Sequence, residues 1–514
     1  MDYEKIFSRI QNGNDVRGAA IATEKEEMTI TPDLAAFVAD AFADYVAGQT
    51  GCSRSDLKIG VGRDSRITGP QMSEGCIRGL WGTQVFMCGL TSTPAMFQST
   101  VLPESAFDAA IMITASHLPF NRSGMKFFTR EGSLTKAALT GILKNAAQKA
   151  AQAGSVNGYQ APEGAGSCCR EFDLTGLYCK HMRDVIRRET GAGADEKPLS
   201  GLHIVVDAGN GAAGFFPGQI LAPLGADVSG SVYLEPDGMF PNHVPNPENP
   251  DAMDAVRAAV LEAGADLGVI FDCDGDRGAV VLADGTEVNR NTLIAMLAAI
   301  VSEKYPGSVV VTDSVTSDEL NLFLEKELGL KHLRFKRGYK NVIDKGIELN
   351  RQGQECELAI ETSGHGAFRE NYFSDDGAYL SVKIISRLAV MRREGRDISE
   401  LIAGLAHPAQ AEEIRFDITD DADDPRDFKE YGSWVLDELH AFAARQEGMQ
   451  IVEPNYEGIR IAFDDEQVKG WLLLRKSLHD PVMPMNVESK EQGGVQIILS
   501  RMKPFFDKCS RLQA

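Results

Sequence analysis

Three aspartates at alternate positions form the strongest chemical signal in this sequence. They lie in the segment Asp272-Cys273-Asp274-Gly275-Asp276-Arg277, directly after the apolar run Leu267 to Phe271, which predicts a buried strand. Carboxylates spaced in this way around a glycine turn can converge on one hard divalent cation, and Mg²⁺ suits them because water and phosphate complete its shell. We therefore predict that Asp272, Asp274 and Asp276 bind a metal.

Three other interpretations compete with this metal site. A calcium loop would need a glutamate at its twelfth position and a helix after it, but the twelfth residue from Asp272 is Ala283 and a strand is predicted to follow. A solvated acidic turn would not need a buried strand before it. Asp272 could also be a nucleophile, as in phosphatases with a D-x-D motif, although that motif normally lies near the N-terminus of its domain.

A serine with the position of a nucleophile follows another predicted strand. The segment Thr114-Ala115-Ser116-His117-Leu118-Pro119 comes after the apolar run Asp108 to Thr114. Because α/β proteins tend to keep their sites at the end of such strands, the sheet would deliver Ser116 and His117 to a position suited to chemistry. Considered alone, most such pairs are ordinary loop residues.

Two further loops carry side chains suited to a polar ligand. The segment Glu361-Thr362-Ser363-Gly364-His365 follows an apolar run and offers donors and acceptors suited to sugar hydroxyls, although a capped turn explains it equally well. Arg475 and Ser477 follow the predicted strand Gly470 to Leu474 and could cradle a phosphate, or belong to a solvated basic turn.

Basic residues in short loops could also hold a phosphate group. Arg17 lies in Asp15-Val16-Arg17-Gly18, and two more arginines lie in Gly62-Arg63-Asp64-Ser65-Arg66. An arginine fixed by a neighbouring carboxylate can grip phosphate, and it can equally form a structural ion pair. The cluster Lys336-Arg337-Gly338-Tyr339-Lys340 precedes a predicted helix, whose N-terminus favours anions. Lys340 is therefore a candidate substrate-binding residue.

Strands that alternate with helices must position these loops. Strands are predicted at 57–62, 85–88, 108–114, 203–207, 267–271, 309–312, 358–361, 458–463 and 470–474, with helices over 70–81, near 289 and over 376–392. This order predicts an α/β protein of three successive α/β units with mixed sheets, followed by a smaller α+β unit. The predicted domains are residues 1–170, 171–288, 289–411 and 412–514.

Composition excludes several classes of partner. The 514 residues carry a net charge of −22, which argues against nucleic acid because duplex binding needs a basic face. No apolar run approaches the ~20 residues that span a bilayer, and no secretory signal is visible, so we expect no membrane partner and a cytoplasmic location. The nine cysteines lack C-x-x-C spacing, which favours free thiols over a disulfide framework or a zinc site.

The motifs together resemble one known family. Thr114-Ala115-Ser116-His117-x-Pro119, Asp272-x-Asp274-Gly275-Asp276-Arg277, Glu361-x-Ser363-Gly364-His365 and Arg475-x-Ser477 follow one another as in the α-D-phosphohexomutase superfamily. The chain looks most like its phosphomannomutase/phosphoglucomutase group, over essentially the whole length. The resemblance implies four domains around a central cleft. It also implies a Mg²⁺-dependent interconversion of hexose 1-phosphate and hexose 6-phosphate through a hexose 1,6-bisphosphate.

The resemblance also assigns roles to the residues of the first two motifs. Ser116 would be the phosphoserine that donates a phosphoryl group to the sugar phosphate and later recovers one. The three aspartates would hold Mg²⁺ against that phosphoserine, and Arg277 would steady the transferring group. Lys126, His117 and Arg17 match positions assigned to acid/base assistance and phosphate contact.

The remaining implied roles concern the substrate. Glu361 and Ser363, with His365 on the same loop, would bind sugar hydroxyls. Arg475 and Ser477 would hold the phosphate that does not react. The expected ligands are therefore a phosphorylated hexose and a hexose 1,6-bisphosphate, which acts as activator or intermediate.

Four departures from the family pattern leave the substrate open. Leu118 stands where asparagine is usual, and Ile360 stands where glycine commonly precedes the sugar-loop glutamate. The phosphate loop continues as Leu478-His479-Asp480-Pro481, and the N-terminal loop reads Gly13-Asn14-Asp15-Val16-Arg17-Gly18. A glucosamine-phosphate mutase and a glucose 1,6-bisphosphate synthase therefore remain alternatives to a mannose or glucose phosphate mutase. A non-catalytic phosphosugar-binding protein is an alternative of another class, and the intact Ser116, Lys126 and three aspartates argue against it.

Overall fold

The computed structural model describes residues 1–163, 165–166, 168–477 and 480–513. These residues form two compact units, of which the first contains residues 1–293 and 363–400 and the second contains residues 294–362 and 401–514. The four domain boundaries predicted from the sequence are finer than this division and stay a prediction.

The first sheet belongs to the first unit and carries the serine motif at the end of a central strand. Its strands are β1 (Gln11–Asn12), β2 (Asp15–Ala19), β3 (Lys58–Arg63), β4 (Gln84–Leu90), β5 (Ala109–Ile113), β6 (Arg122–Thr129), β7 (Gly132–Ser133) and β8 (Cys168–Glu171), and its helices are α1 (Tyr3–Arg9), α2 (Pro32–Thr50), α3 (Gly69–Gly79), α4 (Thr93–Val101) and α5 (Lys136–Ala153). The order is β1-β2-β6-β5-β3-β4-β8, and β7 pairs with β6. Because β5, β3, β4 and β8 are parallel while β2 and β6 are antiparallel to their neighbours, the sheet is mixed.

Local sequence explains the main elements of this sheet. All five residues of β5 are buried, as its apolar composition predicts. Helix α2 begins where the Thr31 side chain accepts the backbone N–H of Leu34 and Pro32 fixes the first turn, and it ends at Gly51, whose φ is 70°. The buried face of α2 belongs to the same apolar core as the buried side chains of β3, β5 and β6.

The second sheet, also in the first unit, carries the aspartate motif in a hairpin. Its strands are β9 (Ile204–Asp207), β10 (Leu267–Phe271), β11 (Gly278–Leu282) and β12 (Glu287–Val288), with helices α6 (Leu174–Thr190) and α7 (Pro250–Ala263). Strand β10 is parallel to β9 and antiparallel to β11, and Phe271 pairs with Gly278. Residues 272–277 are therefore the turn between two fully buried strands.

The third segment contains elements of both units. In chain order the segment comprises α8 (Arg290–Lys304), β13 (Val309–Thr312), α9 (Asp318–Leu322), β14 (Lys331–Arg334), α10 (Tyr339–Arg351), β15 (Cys356–Ile360), β16 (Gly366–Phe368) and α11 (Gly377–Arg393). In the second unit, β13 lies between β14 and β15 and is parallel to both. In the first unit, α11 packs on α6 and β11.

The C-terminal segment lies in the second unit and is α+β, as predicted. It comprises β17 (Gln410–Ile418), α12 (Phe428–Ala443), β18 (Gln450–Ile451), β19 (Ile459–Asp464), β20 (Lys469–Leu474), β21 (Val482–Ser489), α13 (Gly494–Phe506) and β22 (Leu512–Gln513). The antiparallel sheet has the order β18-β19-β20-β21-β17-β22. The predicted order of three α/β units and an α+β unit is confirmed, and every predicted strand and helix is present with ends shifted by at most a few residues.

Two predictions from composition can be compared with the structure. All nine cysteines are free, and six of them are buried, so the expectation of free thiols is confirmed. Among the described residues, none of the helices combines the length and the apolar character that crossing a membrane requires.

A glycine in β6 permits the close packing of this strand between β2 and the serine-bearing β5. A Cβ built on Gly124 would lie 2.1 Å from Val16 O and 2.9 Å from both Arg17 Cδ and Thr114 O. We predict that Gly124→Ala lowers the free energy of unfolding by about 1–3 kcal/mol, because neighbouring backbone must move. Chemical denaturation measures this change.

The control for this prediction is Gly141→Ala, in the exposed face of α5. A Cβ there meets nothing within 4 Å, so this variant should gain about 0.5–1 kcal/mol from helix propensity. If both variants have the same free energy of unfolding, the close backbone contacts at Gly124 do not require a glycine and the prediction is wrong.

Candidate active site

Ser116 lies in a constrained turn directly after β5. Its φ is +51°, a left-handed conformation that non-glycine residues adopt rarely and that is concentrated at functional sites. The Ser116 N–H donates to Thr114 Oγ1 at 2.8 Å, and its Oγ donates to Asp272 Oδ2 at 3.1 Å. His117 Nδ1 lies 3.3 Å from the same Oγ. The serine and aspartate motifs, 156 residues apart, therefore meet in the first unit.

The hairpin loop brings its three carboxylates together. One oxygen from each of Asp272, Asp274 and Asp276 lies within 4.8 Å of the others, and all three residues are buried. Asp272 Oδ1 accepts the backbone N–H groups of Gly275, at 3.0 Å, and of Arg277, at 3.2 Å, which folds the loop around it. The positive φ of Gly275, 74°, allows the sharp turn.

This carboxylate set fits a divalent cation. Asp274 Oδ1 and Asp276 Oδ1 are buried and have no hydrogen-bond partner among the described residues. Buried carboxylate oxygens without donors are costly, and a hard cation would satisfy them. The loop can therefore hold a metal ion with aspartate ligands.

Lys126 on β6 supplies a positive charge to the same cluster. Its Nζ donates to Asp274 Oδ2 at 2.9 Å and also to Asp276 Oδ2, and its side chain is 4% exposed. Thr93, at the start of α4, donates its hydroxyl to the same oxygen of Asp274 at 2.5 Å. Lys126 of β6 and Thr93 of α4 therefore both contact the aspartate loop of the second sheet.

The environment separates the pKa values of the three aspartates. Burial, together with the neighbouring charges of Asp276 and Asp274, raises the pKa of Asp272 well above its usual range. Burial also opposes ionisation of Asp274, but Lys126 and the Thr93 hydroxyl hold the pKa of Asp274 below its usual range. Lys126 likewise lowers the pKa of Asp276 against burial and the charge of Asp274. The cluster therefore carries a negative charge that a cation can stabilise.

Positive charges surround the serine without protonating its neighbouring imidazole. Burial, with the nearby positive charges of Arg277 and Arg17, lowers the pKa of His117 to about 3, so this ring is neutral. Arg17 donates to Thr114 O and to Asp15 Oδ2, both at 2.9 Å, which fixes its guanidinium beside the serine turn.

Arg277 and His365 form a second polar cluster in the first unit. Arg277 Nε donates to His365 Nε2 at 2.9 Å, and its NH1 group lies 3.2 Å from Glu248 Oε2. Because a guanidinium can only donate, His365 Nε2 accepts and the ring proton lies on Nδ1, which is 2.6 Å from Asp375 Oδ2. Asp276 Oδ1 is 3.7 Å from that Nδ1. The His365 imidazole therefore has a defined tautomer next to the aspartate loop.

The other predicted binding residues divide between the units. Ser363, in the first unit, has a buried Oγ without a hydrogen-bond partner among the described residues. In the second unit, Glu361 Oε1 accepts the N–H of Gly338 at 2.6 Å. Lys340 pairs with Asp344 at 3.0 Å, so its side chain is engaged along its own helix.

The predicted phosphate loop follows β20 in the second unit. The Arg475 side chain is buried, and its Nε has no hydrogen-bond partner among the described residues. Burial and the nearby Arg337 lower the pKa of Arg475, so the guanidinium is poorly compensated and suited to an anion. Ser477 Oγ accepts the N–H of Asp480 at 3.2 Å. Leu478 and His479, which the sequence analysis singles out, lie outside the described residues.

Several residues of this site are not among the sequence predictions. Thr93, Glu248 and Asp375 contact the motif residues, but they occur singly and far from them in the chain. Arg66 carried a weak signal, since it lies in an Asp-Ser-Arg segment after a strand. Its guanidinium contacts the backbone of the serine turn.

Comparison with known proteins is consistent with this geometry. Three family models match the chain, described as phosphoglucomutase/phosphomannomutase alpha/beta/alpha domain I over residues 8–153, domain II over 178–285 and domain III over 289–408. A phosphoglucomutase of Neisseria gonorrhoeae is 29% identical over 481 residues, which cover 92% of this chain and 93% of that protein. A phosphomannomutase/phosphoglucomutase of Pseudomonas aeruginosa is 28% identical, covering 91% of this chain and 90% of that protein.

Solved structures show the same fold. A phosphoglucomutase/phosphomannomutase family protein from Burkholderia thailandensis superposes with a TM-score of 0.77 at 25% identity, covering 99% of this chain and 98% of that one. An N-acetylphosphoglucosamine mutase of Aspergillus fumigatus, solved with GlcNAc-6P and magnesium, has a TM-score of 0.56 at 10% identity, with 99% of each chain covered. The chain belongs to the phosphoglucomutase/phosphomannomutase family of phosphohexomutases, and it is an enzyme of the isomerase class.

Proposed function

We propose that this enzyme interconverts the 1-phosphate and 6-phosphate of glucose or mannose through a phosphorylated Ser116 and a hexose 1,6-bisphosphate. The observation that carries the proposal is the 3.1 Å contact between Ser116 Oγ and Asp272 Oδ2, within a buried cluster of three aspartates. A serine held against potential metal ligands is placed to carry a phosphoryl group rather than to pack.

Mg²⁺ is the proposed metal. Asp272, Asp274 and Asp276 offer oxygen ligands, two of them with unsatisfied buried oxygens, and the phosphorylated Ser116 would add a phosphate oxygen. When bound, Mg²⁺ would neutralise charge on the transferring phosphoryl group. The Aspergillus fumigatus relative was solved with magnesium, which supports the choice.

Positively charged side chains would do the remaining electrostatic work. Phosphoryl transfer depends mainly on positioning and charge neutralisation. Lys126, Arg17 and Arg277 all lie in the first unit around the serine and aspartate loops, where they would bind the phosphoryl oxygens. The neutral His117, 3.3 Å from Ser116 Oγ, would exchange a proton with the serine, and Lys126 would assist at the sugar hydroxyl.

The sugar and its second phosphate would be bound by the other predicted residues. Glu361, Ser363 and His365 present the donors and acceptors that sugar hydroxyls require. Lys340, at the start of α10, would contribute charge to substrate binding. Arg475 and Ser477 would hold the phosphate that does not react, since the Arg475 guanidinium is buried and its Nε is unsatisfied. The A. fumigatus structure with GlcNAc-6P supports binding of a phosphorylated sugar.

The proposed setting is the cytoplasm, where a phosphorylated hexose and its 1,6-bisphosphate would be the ligands. The nine cysteines, none of which forms a disulfide among the described residues, suit a reducing compartment. The acidic net charge of −22 gives no basis for a nucleic-acid partner.

One experiment tests both the role of Ser116 as nucleophile and the identity of the substrate. Ser116→Ala should lower turnover of the preferred hexose 1-phosphate by about 10⁴-fold or more, because no phosphoenzyme can form. Wild type and variant are incubated with Mg²⁺ and the 1-phosphates of glucose, mannose and glucosamine, with and without glucose 1,6-bisphosphate. Intact-mass spectrometry follows the phosphoryl group on the protein.

The control is Ser105→Ala, which removes another buried serine hydroxyl, bonded only to the Leu102 carbonyl among the described residues, and should retain wild-type turnover. In a parallel reaction with fructose 1,6-bisphosphate as phosphoryl donor and glucose 1-phosphate as acceptor, accumulation of glucose 1,6-bisphosphate together with fructose monophosphate would instead identify a synthase. Preference for glucosamine 1-phosphate would identify a glucosamine-phosphate mutase. Phosphosugar binding without phosphoryl transfer would sink the enzymatic proposal.

The proposed phosphate-binding residue Arg475 can be tested by substitution. Arg475→Met should raise KM for glucose 1-phosphate roughly 10- to 100-fold with a smaller effect on kcat, since charge-assisted hydrogen bonds contribute about 1.5–3 kcal/mol. Steady-state kinetics measure the split. Arg415→Met is the matched control, because Arg415 is exposed and pairs only with Glu413 among the described residues. Equal KM values in both variants would remove Arg475 from the proposed phosphate site.

Lys126, the lysine within the aspartate cluster, provides a test of the proposed metal site. Lys126→Met should lower the free energy of unfolding of the metal-free protein by about 3–5 kcal/mol, because it leaves buried carboxylates uncompensated. Mg²⁺ should then stabilise the variant more than it stabilises wild type. Urea denaturation with and without Mg²⁺ measures both effects.

The control for Lys126 is Lys149→Met, which removes another lysine that bridges two carboxylates. Lys149 pairs with Asp40 at 3.2 Å and Asp44 at 2.8 Å, and its side chain is 24% exposed. This variant should show the same Mg²⁺ response as wild type. An equal Mg²⁺ response in Lys126→Met would contradict a metal site at these aspartates.

A further inference from the structure

A single buried arginine holds the serine turn through its backbone. Arg66, three residues after β3, has a side chain with no exposed surface. A guanidinium has five N–H donors in a rigid planar arrangement, and here each one has an acceptor. The acceptors are Asp64 Oδ2 (3.2 Å) and the carbonyl oxygens of Ser116, Leu118 (2.6 Å), Pro119 (2.8 Å) and Arg122 (3.0 Å).

These contacts fix the conformation on which the position of the serine depends. Four of the five bonds go to main-chain oxygens between residues 116 and 122, and one of them belongs to Ser116 itself. The left-handed φ of Ser116 is strained for a residue with a Cβ, so its surroundings must impose it. The charge-assisted bonds from Arg66 supply that constraint.

Asp64, the ion-pair partner of Arg66, links this arginine to the aspartate loop. Asp64 has no exposed side-chain surface and accepts the Arg66 N–H at 2.9 Å as well as the Nε. Its Oδ2 also accepts the thiol of Cys273 at 3.3 Å. Cys273 lies between Asp272 and Asp274, so one carboxylate contacts both the arginine that holds the serine turn and the loop that holds the aspartates.

A third segment, in the connection between β9 and α7, closes over the pair. A Cβ on Gly238 would lie 2.5–2.7 Å from backbone atoms of Ser65, Arg66 and Ile67, so only glycine allows this approach. The ring of Phe240 covers the guanidinium, with Arg66 Cζ 5.3 Å from the ring centroid. Arg66 is therefore held between the serine turn and the connection that follows β9.

We infer that Asp64 and Arg66 are positioning residues that set the distance between the Ser116 hydroxyl and the metal-binding aspartates. This inference deepens the proposed function and rests on it, since it concerns Ser116 as the nucleophile and the aspartate loop as the proposed metal site. Neither residue touches the reacting atoms. Arg66 acts through the carbonyls of the serine turn, and Asp64 acts through Arg66 and Cys273.

The test uses the full-length protein and a conservative variant. Lysine keeps the charge of Arg66 but has only three donors, so Arg66→Lys cannot satisfy four carbonyls and a carboxylate. We expect kcat to fall by about 10²-fold with KM for glucose 1-phosphate nearly unchanged, because a misplacement of about 1 Å costs that much. Stopped-flow phosphorylation of Ser116 by glucose 1,6-bisphosphate should slow by a similar factor, and more Mg²⁺ should be needed for half-maximal rate.

Arg54→Lys is the matched control. Arg54 donates to Asp40 at 2.8 Å and to the carbonyls of Asp40 and Gly79, and it stacks on Trp81, but it contacts neither loop. Both variants should lose thermal stability, whereas only Arg66→Lys should change kcat and the Mg²⁺ requirement. Equal kinetics in the two variants would assign Arg66 a purely structural role and overturn the inference.

A second pair of variants keeps the inference testable if Arg66→Lys does not fold. Cys273→Ser preserves a donor to Asp64, and Cys273→Ala removes it. We expect the alanine variant to need several-fold more Mg²⁺ for half-maximal phosphorylation of Ser116, and the serine variant to behave as wild type. Identical Mg²⁺ curves would overturn the link through Asp64. If wild type itself transfers no phosphoryl group to Ser116, the proposed function fails rather than this inference alone.

Discussion

The site depends on the compensation of three buried carboxylates. Asp272, Asp274 and Asp276 lie within one short hairpin loop, where each is desolvated and each repels the others. Such charge is tolerated only if cations and donors surround it. Lys126 and Thr93, from two elements of the other sheet, meet part of that requirement. The need to neutralise this loop therefore joins the two sheets of the first unit and creates a place for a metal.

The serine turn meets the opposite requirement, because it must be rigid without being charged. Ser116 adopts a strained conformation, and its carbonyl accepts a buried guanidinium, while its hydroxyl remains directed at Asp272. Transfer of a phosphoryl group gains most from accurate positioning, because the chemistry demands little beyond alignment and charge neutralisation. A rigid turn beside a compensated carboxylate cluster combines these conditions. The two loops are separate in sequence but form one chemical unit.

The strands, the motifs and their placement at strand ends could be predicted from the sequence because they are local. A run such as Leu267–Phe271 is buried wherever it lies, and the loop after it must emerge at a sheet edge. The contact between Lys126 and Asp274 could not be derived from spacing, since 148 residues separate the pair. The family resemblance singled out Lys126 but not its partner. Asp375 belongs to no recognised motif. The sequence left Arg66 as either a phosphate-binding residue or part of a structural ion pair, and the tertiary fold shows the ion pair with Asp64.

Two departures from the family pattern fall where the backbone provides the contact. Leu118 replaces the usual asparagine, but the structure uses its carbonyl oxygen, which accepts Arg66 at 2.6 Å and which any residue can provide. Ile360 replaces a common glycine, yet it is buried as the last residue of β15, and the Glu361 carboxylate beyond it is still held by the N–H of Gly338. Side-chain changes at such positions leave the hydrogen-bonded frame intact. The hydrogen bonds around the serine turn and Glu361 therefore do not depend on which side chains stand at positions 118 and 360.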